Sequence, residues 1–205
     1  MVVKNIITNM LPSIWPMLLF VTIVIVCIRG AYLAKGNKKF VFHKEVLNLV
    51  FVLYILCLYY ILTYQGSSAH GINLTPFSEM FRYTFGSYKF VKNVLGNIFI
   101  FIPFGFFVAY YLNTRKTVIP VGIALVVSLT AEVIQYHIGR IFDIDDIILN
   151  VLGGFLGALL FVAFSSVKDK LPKFMRSDGF INFLVIVIVT LIVLFSLGIN
   201  IFKLF

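Results

Sequence analysis

Glu132, Arg140, Asp143, Asp145 and Asp146 stand in and between two apolar runs of SLTAEVIQYHIGRIFDIDDIILNVLGGFLG, residues 128–157 of a chain in which only 12% of residues are charged. An ionisable side chain at the centre of a bilayer helix costs about 3 kcal/mol or more, so one kept there serves a pathway, a site or a paired structural contact. As oxygen ligands, Asp143, Asp145, Asp146 and Glu132 would suit a hard cation such as Mg2+ or Ca2+. Alternatively, Glu132 would act as a general base, and Arg140 would hold a phosphate or carboxylate through paired hydrogen bonds. The plainer reading is packing: Asn, Gln and Ser bond between spans, and Glu132 is neutralised by Arg140 along the same face or is simply protonated. So many carboxylates at one depth exceed what packing requires, which favours a functional site.

Helical spacing organises these residues. Ser128, Glu132, Gln135 and Gly139 fall on one face of one helix, and Asp146, Asn150, Gly153 or Gly154, and Gly157 on one face of the next. Gly153 and Gly157 form a G-x-x-x-G pair that would let a neighbouring helix approach closely. An earlier span contributes Asn93 and Asn97, one turn apart. Asn97, Glu132 and Asn150 are therefore expected to converge on one cavity beneath the surface. Pro103 and Gly105 in FIPFGF imply a kink whose freed carbonyls would line it.

Those helices must cross a membrane. The chain has 205 residues, is 61% hydrophobic and carries 23 Phe and 10 Tyr, with a mean hydropathy of +1.04. Apolar runs of roughly 20 residues match a bilayer core of about 30 Å. The expected architecture is all-α: a polytopic helical bundle forming a single integral membrane domain over 1–205. Its six spans lie near 11–28, 46–64, 93–112, 118–138, 147–165 and 180–199, the last a peripheral scaffold. The first is read as a retained span, because a basic segment follows it where a signal peptide would carry a cleavage site. Between spans two and three, Thr75 would cap a short interfacial helix with Pro76 at its first position. The formal charge of +9 lies in clusters between apolar runs, which excludes nucleic acid as a partner and fits the positive-inside rule. One set of loops holds eleven Lys and Arg against six on the other, which puts both termini, the 73–77 loop and the 140–146 loop outside the cell. Cys27 and Cys57 fall inside spans and read as small apolar core residues.

Taken together, NLTPF (73–77), GNIFIFIPFGF (96–106), SLTAEVIQ (128–135) and GRIFDIDDIILNVLGGFLG (139–157) resemble the VanZ-like family of bacterial membrane proteins, with the motif-bearing core over 65–165. The family positions are Asn73, Pro76, Asn97, Pro103, Gly105, Glu132, Gln135, Arg140, Asp143, Asp145, Asp146, Asn150 and Gly154. NLIPF is commoner in the family than the NLTPF found here. The resemblance implies a multi-pass protein of the bacterial cytoplasmic membrane that lowers sensitivity to lipoglycopeptides such as teicoplanin. Its expected partners are membrane lipids, a lipid-linked cell-wall precursor or the lipoglycopeptide itself. An outward-facing polar site would bind one of these. The alternative is a membrane-embedded hydrolase or transferase acting on a phosphorylated or glycosylated lipid headgroup.

Overall fold

The computed structural model describes residues 2–35, 40–63 and 71–196. The chain is an all-α membrane bundle. Five helices are long and apolar enough to cross a bilayer: Ser13–Ala34 within α1 (Val2–Ala34), α2 (Phe42–Thr63), the continuous run Tyr88–Tyr111, α6 (Val118–His137) and α7 (Ile144–Lys170). The last apolar helix, α8 (Asp178–Ser196), is shorter, and the expected end of span six lies outside the described residues. The helix α1 runs back through Pro12 and Pro16 to Val2, so it begins well before the span expected from residue 11.

The core is built by three helices. The third crossing begins as α4 (Tyr88–Phe90), passes through a π-helical turn at Val91–Leu95 and continues as α5 (Gly96–Tyr111). Its closest partner is α7, which also packs against α6. Glycine makes the first of these contacts possible. A Cβ on Gly153 would overlap the Ile98 carbonyl, one on Gly157 the Ile102 carbonyl, and one on Gly105 the Gly154 carbonyl. Gly154 faces the other way, where a Cβ would come within 2.6 Å of the Ala124 Cβ on α6. Backbones this close exchange side-chain volume for dispersion contacts over a long seam. Pro103 lies inside α5, but Gly105 serves the α7 contact, and the non-α backbone falls upstream, in the π turn.

Around the seam, Leu58, Phe101, Phe104 and Ala124 form one buried cluster, and Ala109, Ala158 and Phe161 another. Tyr54 on α2 donates to the Ile100 carbonyl at 2.6 Å. The remaining helices pack at the edge. The pairing of α1 with α2 includes a two-pronged Arg29–Glu45 ion pair, both contacts 2.7 Å, and α8 meets α2, where His43 bonds Asn182. Cys27 is exposed on α1 and Cys57 half-buried on α2. Cys27 is therefore not a core residue, and among the described residues the main packing partner of α1 is α2.

At one end of the bundle the chain forms a small cap. Strand β1 (Gly71–Asn73) pairs in parallel with β2 (Ile141–Asp143), matching Asn73 to Asp143. The short helix α3 (Ser78–Arg82) follows β1. It starts later than its sequence suggests: Pro76 sits in the preceding turn, Phe77 has a φ of 66°, and Thr75 contributes its carbonyl to Ser78 rather than a side-chain cap. Gly139, at φ 90°, is not part of the polar face of α6. It ends that helix, with Arg140 N–H returning to the Gln135 carbonyl at 2.9 Å and Gly139 N–H to Tyr136 at 3.2 Å, the paired bonds of a Schellman motif.

Candidate functional site

Two facing helices carry a polar ladder. Ser128 and Glu132 are one turn apart on α6, and Asn150 and Asp146 one turn apart on α7. At the lower level Asn150 Nδ2 donates to Ser128 Oγ at 2.9 Å, both residues fully buried. At the upper level Glu132, 1% exposed, accepts the backbone N–H of Asp143 at 2.9 Å through Oε2. Asp146 accepts from Asn97 Nδ2 at 2.5 Å, which ties α5 to α7.

Asp143 continues the ladder into the cap. Its Oδ1 accepts from Asp145 N–H at 2.9 Å, capping the first turn of α7, and from Asn73 Nδ2 at 3.1 Å. Asn73 Oδ1 in turn accepts the Thr75 N–H, bending the chain through the local turn that Asn side chains favour. Asp145, also 1% exposed, takes the Phe77 N–H at 2.5 Å on one oxygen and the Met80 N–H at 3.3 Å on the other. The amides that open α3 are therefore satisfied by a carboxylate from α7. Each of these acids engages a backbone amide or an amide side chain.

This arrangement differs from the sequence expectation in three respects. Asn97, Glu132 and Asn150 occupy one interface system, but they bond to Asp146, the Asp143 amide and Ser128 and not to each other, because one helical turn separates the levels. Arg140 forms no ion pair with Glu132. Its Nη1 donates at 3.1 Å to the Leu62 carbonyl, which also accepts from Gln135 Nε2 at 2.9 Å, so both residues close the C-terminal end of α2, where helix carbonyls lack partners. Finally, among the described residues no three His, Cys, Asp or Glu side chains come together to hold a metal ion. Each of the four acids is instead engaged by a separate amide donor.

Two buried amide oxygens, Asn150 Oδ1 and Gln135 Oε1, have no hydrogen-bond partner among the described residues. Ser78 was not among the sequence candidates, yet it contacts Asn73 Oδ1, and Asn73 Nδ2 donates to its Oγ at 2.9 Å. A Ser five residues after an Asn carries no recognisable pattern, so only the folded loop exposes its role. Pro76 contacts none of the acids by hydrogen bond but sets the turn that presents the Phe77 amide.

The segment that holds the cap, the ladder and the α5–α7 seam coincides with the region of similarity to known proteins. The VanZ/LLP1 family profile matches residues 51–165. Protein VanZ of Enterococcus faecium is 29% identical over 152 residues, covering 73% of this chain and 86% of that protein. No solved structure matches. With more than half of its length matched, including every residue of the ladder and cap, the chain belongs to the VanZ/LLP1 family.

Proposed function

We propose that the protein lowers sensitivity to lipoglycopeptide antibiotics of the teicoplanin type, and that the polar end of the α5–α6–α7 bundle binds the lipid-bearing ligand. The cap, the ladder and Arg140 face the outer leaflet in this reading. The observation that carries it is the full burial of Glu132 and Asp145 in a membrane bundle, each 1% exposed. Burying carboxylates there is costly, and the cost is met by loop amides drawn from residues 77, 80 and 143. The acids thereby fix the shape of a polar surface over the bundle. Binding fits this geometry better than hydrolysis or transfer, since the acids are engaged as structural acceptors.

The test compares a host carrying the wild-type chain with one carrying a Glu132→Gln, Asp143→Asn double variant at matched membrane abundance. Teicoplanin sensitivity is expected to return to that of the empty host. Saturable binding of labelled teicoplanin by the purified wild type, without conversion by mass spectrometry, would support the binding form. Full protection by the double variant would overturn the reading, and a converted lipid-linked precursor lost on Glu132→Gln would replace it with the enzyme.

A further inference from the structure

Phe81 and Phe85 are 86% and 88% exposed, the two most exposed large apolar side chains among the described residues. Neither lies in a crossing: Phe81 belongs to α3, and Phe85 to the turn that Gly86, at φ 76°, completes before the third crossing begins. Apolar rings held open in this way mark a contact with a membrane or another protein. The segment that carries them is a fixed frame. Asp145 on α7 holds the Phe77 and Met80 amides on its two oxygens, and Asn93 Nδ2 donates to the Tyr83 hydroxyl at 3.0 Å. Both ends of α3 are thus tied to core crossings, and the Phe77 ring packs against that of Phe81, centroids 6.4 Å apart.

Continuity with the third crossing indicates what covers these rings. The Phe85 ring packs on that of Phe90, centroids 5.1 Å apart, and Phe90 stands in the first turn of the apolar run Tyr88–Tyr111. Along the same run Tyr88 and Phe99 are exposed, the face that a crossing turns to lipid. A ring that touches the start of a crossing and is otherwise open meets the layer around that start, where headgroups give way to acyl chains and aromatic side chains anchor spans. With five residues, α3 is about 7.5 Å long, too short to reach deeper than this boundary. We propose that α3 and the turn after it form a membrane-surface anchor, in which Phe81 and Phe85 insert their rings among the acyl chains just beneath the headgroups of the leaflet at the cap end. The contact is apolar, so a zwitterionic lipid suffices. The anchor depends neither on the antibiotic reading nor on which leaflet the cap faces.

Trp15, the single tryptophan of the chain, is first replaced by Phe. Phe81→Trp and Phe85→Trp are then introduced separately into the full chain, which is reconstituted in phosphatidylcholine vesicles, so that the test survives a folding failure of either variant. Lipid brominated near the headgroup end of its chains should quench the fluorescence of both variants more strongly than lipid brominated near the chain terminus, as expected for rings about 5–10 Å into the headgroup boundary. Iodide supplied on both faces should quench them several-fold less than free tryptophan. Adding Glu132→Gln should leave these values unchanged, which keeps failure of the antibiotic reading distinguishable from failure of this one. Quenching by iodide without quenching by brominated lipid would put the rings in water and overturn the proposal. Protection from both quenchers would assign the stripe to a second copy of the chain and overturn it equally. Stronger quenching from the chain terminus would overturn the surface placement, and lipid quenching that appears only when phosphatidylglycerol is added would overturn its apolar basis.

Discussion

Glu132 is first of all an acceptor for a backbone amide. Its Oε2 lies 2.9 Å from the Asp143 nitrogen, at the point where β2 passes into α7, so the side chain sets where the third core helix begins. Removing the acceptor would strand that donor, at a cost of about 1–3 kcal/mol. Glutamine retains an oxygen in nearly the same place. Glu132→Ala is therefore expected to lower stability by about 2 kcal/mol, and Glu132→Gln by less than about 1 kcal/mol, in reversible unfolding of the detergent-solubilised protein. Equal losses would show that the amide bond is not what the carboxylate contributes. The residue types and helical spacing of Ser128, Glu132, Asp146 and Asn150 were legible in the sequence, because polar side chains recurring at one-turn intervals in an apolar run mark a face. Their partners were not. Asp145 reaches amides at Phe77 and Met80, and backbone N–H groups are the same at every position, so no pattern of residue types records which of them a carboxylate will find.

At the scale of elements, the crossings and the G-x-x-x-G pair could be read because hydrophobic length and small residues leave direct signals. Which helix the glycines faced could not. Gly105 reads as a partner of Pro103 in a kink, yet its value lies in meeting the Gly154 backbone. The three-residue strands β1 and β2 and the five-residue π turn are too short to impose a period, so they emerge only when the loops fold over the bundle. The seam makes a prediction that separates glycines by environment. A Cβ at Gly105 or Gly157 would meet backbone atoms that cannot yield, whereas at Gly30 and Gly122 it would meet nothing within 4 Å. Gly105→Ala and Gly157→Ala should each destabilise by about 1–3 kcal/mol or more, while Gly30→Ala and Gly122→Ala should be neutral or stabilise by up to about 1 kcal/mol. Melting of the four variants in one detergent measures this, and similar losses at all four would mean that the seam is not the tight interface described.

For the whole molecule, the decisive quantity is orientation. The core of α5, α6 and α7 carries the cap and the ladder at one end, and Arg115 and Asp169 pair near the other, where α5 leads into α6 and α7 ends. The loop charges favour the Arg115 side as cytoplasmic, which would put the cap at the outer leaflet. The structure determines where a label can report on this. Asp145, in the first turn of α7, lies at the right end but is 1% exposed, whereas Leu74 in the cap is 64% exposed, and Lys116 is exposed at the opposite end. After replacement of Cys27 and Cys57 by Ser, Leu74→Cys should react with a membrane-impermeant maleimide in intact cells, and Lys116→Cys only once the membrane is opened. The reverse pattern would turn the molecule over. The ladder and the cap would then face the cytoplasm, and a direct encounter with an antibiotic arriving from outside would be geometrically excluded, because the bundle that separates the two ends spans a hydrocarbon layer of about 30 Å.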